Sequence, residues 1–224
     1  MSIVAILVDG GFYQKRSHAL WGQKSAKERA SELMDYCNEH IGKRDLLYRI
    51  FYYDCPPSSK KVFHPLHQQQ IDFSKSPLFK WMTEFHEEMR SKRKVALRMG
   101  ELCDNRLAYS ISPEATKKLC RGAITLSDLT DNDFILNVEQ KGVDMRIGID
   151  IASMAYKKQI NKLILISGDS DFVPAAKLAR REGIDVVLDP LGAQIRPSLN
   201  EHIDGLVTPR KFHIGKNSDP APAE

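Results

Sequence analysis

Six consecutive apolar residues, Ile3-Val4-Ala5-Ile6-Leu7-Val8, end abruptly at Asp9-Gly10-Gly11. A run apolar on both alternating faces predicts a strand covered on both sides, as inside a parallel sheet. Between Ser25 and Ile41 the period changes. Ala26, Ala30, Leu33, Met34, Cys37 and Ile41 recur at spacings of three and four, with Gly42 just beyond, and predict an amphipathic helix. Residues 46–53 are aromatic and aliphatic and predict a second strand, closed by Asp54-Cys55-Pro56-Pro57, where a proline pair cannot continue a ladder. Residues 56–76 have little periodicity and predict a loop or lid whose length suggests function.

Pro77 can open a helix carrying Leu78, Trp81, Met82, Phe85 and Met89, followed by the basic run Arg90-Ser91-Lys92-Arg93-Lys94. Residues 95–102 then predict a third strand, and 104–132 form an insertion without a readable pattern. A stripe of Val143, Ile147, Ile151, Met154 and Ala155 predicts a helix over 142–158. Leu163-Ile164-Leu165-Ile166 is a second doubly covered strand, ending at Ser167-Gly168-Asp169-Ser170-Asp171. A helix over 172–182, Gly183 and a strand over 184–188 follow. The alternation of strands and helices predicts an α/β fold with a mostly parallel sheet, one domain spanning 1–208 with an insertion around 104–132. Residues 209–224, charged and rich in Pro and Ala, predict a disordered tail.

Composition narrows the class. With 224 residues and 42% apolar content, the chain suits one elaborated domain with a sizeable core. The 33 Lys and Arg against 29 Asp and Glu leave a net charge of +4, which permits a polyanionic partner without requiring one. The apolar run at 3–8 is too short for a signal segment or a membrane span, so a cytoplasmic protein without membrane attachment is expected. The four cysteines, Cys37, Cys55, Cys103 and Cys120, form no CxxC pair and read as ordinary reduced thiols.

The chemistry lies in where the aspartates fall. Asp9 follows the first apolar strand, and Asp169 and Asp171 follow the strand at 163–166. Open parallel sheets bind ligands outside the carboxyl ends of their strands, where strand order reverses, so these acids are expected to converge. Asp144, near the start of its helix, can point into the same crevice while complementing the helix dipole. Gathered carboxylates repel unless a cation joins them, and an all-oxygen set suits Mg²⁺ or Mn²⁺. Each acid alone also suits a turn or an N-cap. The conjunction points to metal-dependent phosphoryl transfer or phosphodiester hydrolysis.

Three segments carry a resemblance to a known family. Val8-Asp9-Gly10-Gly11-Phe12, Gln140-Lys141-Gly142-Val143-Asp144 with Asp150 six residues on, and Ser167-Gly168-Asp169-Ser170-Asp171-Phe172 resemble, in that order, the signatures of NYN-domain proteins of the LabA-like group, within the PIN-like nuclease superfamily. The resemblance covers roughly residues 3 to 208. It implies a Rossmann-like, three-layer α/β/α architecture, an acidic pocket for Mg²⁺ or Mn²⁺, and ribonuclease activity on RNA. By motif, Asp9, Asp144, Asp169 and Asp171 become the implied metal ligands and catalytic residues. Many relatives carry Asn three residues after the first Asp, where this chain has Phe12.

Lys15, Arg16, Lys141 and Ser167 lie beside these motifs and are candidate substrate contacts, as are Lys60 and Lys61 in the expected lid. Asp150 stands about 240° round the helix from Asp144, so rather than share one ion it is expected to order a neighbouring Lys or Arg or to support the metal ligands from behind. His64 and His67 lack a second Cys or His pair at zinc-like spacing and are set aside. Two further function classes fit the pattern. One is a non-catalytic RNA- or protein-binding regulatory module, motivated by Phe12; the other is a small-molecule phosphohydrolase, which lacks an Asp-x-Asp-x-Thr nucleophile motif here. Self-association as a homo-oligomer is compatible with the sequence.

Overall fold

The computed structural model describes residues 1–103 and 107–209. Strand β1 (Ile3–Asp9) leads into helices α1 (Gly10–Trp21) and α2 (Ala26–Glu39) and strand β2 (Leu46–Asp54). Strands β3 (Lys61–His64) and β4 (Gln69–Asp72) precede helix α3 (Pro77–Ser91) and β5 (Val95–Met99). Then come β6 (Glu101–Leu102), β7 (Ala108–Ile111), α4 (Pro113–Cys120), β8 (Phe134–Asn137) and β9 (Gln140–Lys141). Last are α5 (Val143–Tyr156), β10 (Lys162–Ile166), α6 (Val173–Arg181), β11 (Asp185–Asp189), α7 (Pro197–Asn200) and β12 (Gly205–Leu206). The expected tail lies, from residue 210 onward, outside the described residues.

The chain divides into two units. The first comprises Met1–Cys55, Glu84–Gly100 and the chain from Gly142 onward. It holds a six-stranded sheet in the order β12-β11-β10-β1-β2-β5, with every neighbouring pair parallel and helices flanking it. The α/β fold with a parallel sheet is therefore as expected. From β1 the chain builds outward through β2 and β5 on one side and through β10, β11 and β12 on the other, so strand order reverses between β1 and β10. Val4 to Val8 expose no surface, which accounts for a strand apolar on both faces. Each fully buried Val, Ile or Leu there contributes about 1.5–3 kcal/mol relative to an exposed one.

Helix α1 escapes the pattern analysis because it buries only Gly10, Tyr13 and Ser17, one of them lacking a side chain and one polar. Helix α2 starts with a reciprocal capping box, Ser25 with Glu28, and buries Ala26, Ala30, Leu33 and Cys37 from the expected stripe. The expected strand over 95–102 is interrupted at Gly100, whose N–H donates to the Asp54 carbonyl at 2.7 Å. Beyond it, β6 pairs with β9 rather than extending β5.

The second unit comprises Pro56–Thr83 and Glu101–Lys141. The expected loop at 56–76 is in part the antiparallel hairpin β3–β4, with His64 opposite Gln69. Its alternation is only four residues long on each strand, too short to stand out from polar surroundings. β7 and β8 form a second antiparallel pair. The buried apolar side chains of this unit, among the described residues, are Val62, Ala115 and Leu129, a small core that explains why 104–132 shows no periodicity.

Gly10 occupies a position that tolerates no side chain. A Cβ there meets the Tyr53 carbonyl oxygen at 2.5 Å and the Tyr52 ring at 2.8 Å. At Gly11 a Cβ meets only an Asp9 carboxylate oxygen at 3.7 Å. Gly10→Ala is therefore expected to destabilise the fold by about 2 kcal/mol, because the backbone of β2 cannot give way and overpacking outweighs the gain in helix propensity. Gly11→Ala is expected to be neutral or stabilising, and urea denaturation of the two variants separates the cases.

Candidate active site

The point where strand order reverses is also where the acids meet. Val8 pairs with Ile166, so the residues that follow, Asp9 and Ser167, leave their strands side by side. Asp9 is the N-cap of α1: one carboxylate oxygen accepts the Phe12 N–H at 3.1 Å, and the other accepts the Ser167 hydroxyl at 3.2 Å. The Ser167 oxygen in turn accepts the Asp169 N–H at 3.2 Å. Asp169 caps the short 3₁₀ turn Ser170–Phe172 by accepting the Asp171 N–H at 2.9 Å. One chain of hydrogen bonds thus runs from the end of β1 through Ser167 to both acids beyond β10.

Asp144 enters from a third element. It is the second residue of α5, in a first turn preceded by Gly142, which takes a left-handed conformation with φ of 79°. Only glycine adopts that conformation freely, so the sharp entry into α5 needs Gly142. The four carboxylates feel one another electrostatically. Burial raises the Asp9 pKa to about 6 against an ordinary 3.8, and the charges of Asp144 and Asp169 add to the rise. The Asp144 pKa is raised as well, by burial and then by Asp169 and Asp171.

The oxygen-only donor set and this mutual repulsion fit a hard divalent cation. The four aspartates do not close into one tight cage. Among the described residues, the His, Cys, Asp or Glu side chains that bring three ligand atoms within 4.8 Å of one another are His64, His67 and Asp131, in the second unit. An ion among the strand-end acids would therefore keep waters in its shell, as Mg²⁺ commonly does.

Among the flanking residues, Ser167 is fully buried and hydrogen-bonded to Asp9 and Asp169. Arg16 donates to the Leu191 carbonyl at 2.8 Å and ties α1 to the turn after β11. Lys141 ends β9 in the second unit, exposed, with its ammonium 3.7 Å from Glu139. Lys15 is exposed on α1. Asp150 behaves as expected: Arg98 holds both its oxygens, at 2.9 and 3.1 Å, and the Tyr53 hydroxyl donates to it at 2.8 Å. Phe12 packs over bare backbone, since a Cβ at Gly168 would meet its ring at 2.9 Å.

Sequence reasoning missed three residues here. Asp54 and Asp189 also end sheet strands, and the signal that singles out Asp9, an acid after an apolar run, applies to both. They are spent internally. Asp54 is buried, accepts from Gln14 Nε2 at 3.0 Å and the Cys55 N–H at 2.8 Å, and lies 3.0 Å from His86 Nε2. Asp189 is buried, accepts from the Tyr36 hydroxyl, the Thr208 hydroxyl and the Leu191 N–H, and lies 2.7 Å from His40 Nε2. Burial and the Asp189 charge push the Tyr36 phenol well above its ordinary pKa, which keeps it a donor. The third is Arg196, exposed, whose guanidinium stands 3.3 Å from the Ser170 hydroxyl between Asp169 and Asp171.

The raised pKa of Asp9 gives a signed expectation. In the unfolded chain Asp9 ionises near pH 4, whereas in the metal-free folded protein it holds its proton up to about pH 6. Between those values the folded state binds more protons, so stability falls as pH rises through the window, and the cost persists above it. Asp9→Asn removes this cost while keeping an acceptor for Phe12. The variant is expected to be more stable than the metal-free parent at pH 7.5, by up to about 3 kcal/mol, with the gap closing towards pH 4. Denaturation curves across pH, with and without Mn²⁺, measure it; Mn²⁺ is expected to narrow the gap by stabilising the parent.

A crystal structure of a protein of unknown function from Vibrio parahaemolyticus RIMD 2210633 aligns with a TM-score of 0.48 at 16% identity, over 92% of this chain and 91% of that one. No curated protein matches the chain. The NYN domain profile matches residues 83–194, half of the 224 residues, and this span includes Asp144, Asp169 and Asp171. The chain belongs to the NYN domain family.

Proposed function

We propose that the protein is a metal-dependent ribonuclease of the LabA-like group that hydrolyses RNA phosphodiester bonds at the acids between β1 and β10. The observation that carries this reading is the gathering of Asp9, Asp144, Asp169 and Asp171 about the strand-order reversal, where hydrogen bonds link Asp9 through Ser167 to Asp169 and the charges of Asp144 and Asp169 add to the rise of the Asp9 pKa. Membership of a nuclease-type family supports it.

These four carboxylates would hold Mg²⁺ or Mn²⁺, which supplies a water-derived nucleophile and charge stabilisation on the phosphoryl oxygens when bound. The chain's own contribution is placement. The Phe12 N–H and the Ser167 hydroxyl hold the Asp9 oxygens in fixed directions, and Asp169 is held by its contact with the Asp171 N–H. Lys15 and Arg196 supply exposed positive charge for the RNA backbone, in place of Arg16 and Lys141, whose charged groups are engaged elsewhere.

A regulatory binding module is the second reading, and the seating of Phe12 on Gly168 favours it, because an apolar ring stands where relatives offer an amide. Cleavage of single-stranded and structured RNA with Mn²⁺, Mg²⁺ or EDTA separates the two. Cleavage is expected with either metal, none with EDTA, and a loss of at least ~100-fold in Asp169→Asn. Equal cleavage by that variant overturns the assignment. RNA affinity without metal and without cleavage establishes the binding module instead.

A further inference from the structure

The second unit holds a group of side chains that the strand-end site leaves unused. His64 ends β3, and His67 lies three residues on in the turn that joins β3 to β4. Asp131 begins a 3₁₀ turn, Asp131–Asp133, capped by Thr130, immediately before β8. The three come together across 67 positions of sequence: His67 Nε2 lies 2.7 Å and His64 Nε2 lies 4.0 Å from the same Asp131 oxygen. The imidazole rings are 4.6 Å apart between centroids.

His64 is unusual in being buried with no hydrogen bond to its ring among the described residues. It is 5% exposed, its ring packs against Tyr109 at 4.3 Å and Phe134 at 5.3 Å, and its Nδ1 has no partner among the described residues. Among the described residues its Nε2 faces the Asp131 oxygen at 4.0 Å, beyond hydrogen-bond reach. A buried imidazole is normally satisfied by a hydrogen bond or a metal. His67 and Asp131 are both exposed, which leaves the outer side of the group open to solvent.

We propose that His64, His67 and Asp131 form a three-ligand site for a zinc-class divalent ion, separate from the oxygen-ligand site at the strand ends. The donor set decides the class: two imidazoles and one carboxylate suit Zn²⁺ and its first-row neighbours and do not suit Mg²⁺ or Ca²⁺. The spacing suits it too. Tetrahedral ligands about 2.0–2.1 Å from zinc stand about 3.3 Å apart, and the observed 2.7 and 4.0 Å lie on either side of that value. The fourth position faces water.

The ion joins the β3–β4 turn to the turn before β8. Among the described residues of this unit the buried apolar side chains are Val62, Ala115 and Leu129, and small units with so little core are the ones that use a metal as a staple. Two ligands three apart in a hairpin turn carry little signal in a sequence, because the third is a carboxylate far along the chain.

The test uses the full chain without a histidine tag, stripped with EDTA and titrated with Zn²⁺ and Co²⁺ in excess Mg²⁺. One equivalent of Zn²⁺ is expected to bind, and Co²⁺ is expected to give the strong visible bands of a four-coordinate centre. Hydrogen exchange over Lys61–His64 and Gln69–Asp72 is expected to slow when Zn²⁺ is added. His67→Ala and Asp131→Ala alter exposed side chains, so they are expected to fold and to lose affinity by ~100-fold or more, at least the cost of losing a supporting contact. Asp169→Asn is expected to bind Zn²⁺ as the parent does. No binding by the parent, or equal binding by His67→Ala and Asp131→Ala, overturns the proposal. Loss of Zn²⁺ binding in Asp169→Asn alone also overturns it, by moving the ion to the strand ends.

Discussion

The first unit depends on the position of β1 between β2 and β10. A strand hydrogen-bonded on both edges and covered on both faces must be apolar throughout, and Val4 to Val8 are. Because the chain builds outward in both directions from β1, its carboxyl end opens onto the one place in the first unit where the following segments diverge. Whatever stands at position 9 is held between two strand ends. An aspartate there loses water, which raises its pKa to about 6, and its hydrogen-bond partners among the described residues are the Phe12 N–H and the Ser167 hydroxyl.

That arrangement opposes local stability. Burial and neighbouring carboxylates raise the pKa values of Asp9 and Asp144, a cost in free energy that an amide at either position would not carry. Asp54 and Asp189 show the contrast within the same sheet. Both end strands and both are buried, but each is surrounded by donors from Tyr, Gln, Thr or backbone groups and has no capacity left for a ligand. The acids between β1 and β10 have fewer internal donors and more neighbouring charge.

The second unit follows a different logic. Its strands are short and antiparallel, and its described core amounts to three apolar side chains. Organisation there comes from turns with side-chain caps, such as Thr125 with Asp128 and Thr130 with Asp133, and from the tilted ring contacts of His64 with Tyr109 and Phe134. Such local devices hold turns in shape without much burial, which is why a buried histidine whose ring has no hydrogen bond among the described residues stands out against them.

The sequence by itself determined the parts governed by period and by strand ends. The doubly apolar runs at 3–8 and 163–166, the amphipathic helices and the acids Asp9, Asp169 and Asp171 could be read directly, because burial on a strand or helix leaves a repeat in the residues themselves. It also placed Asp150 away from a shared ion, from helical geometry alone, and Arg98 occupies that carboxylate. Tertiary structure alone decided which polar groups meet. Ser167 faces inward because Ile166 pairs with Val8; Arg16 is drawn to a carbonyl 175 residues away; Arg196 arrives beside Ser170 from a turn after β11; and Asp131 meets His64 and His67 across antiparallel pairs too short to leave a pattern. Hydrophobic periodicity is a local consequence of burial, whereas a polar contact between distant segments depends on how strands are ordered, and that order is written in no single stretch of the chain.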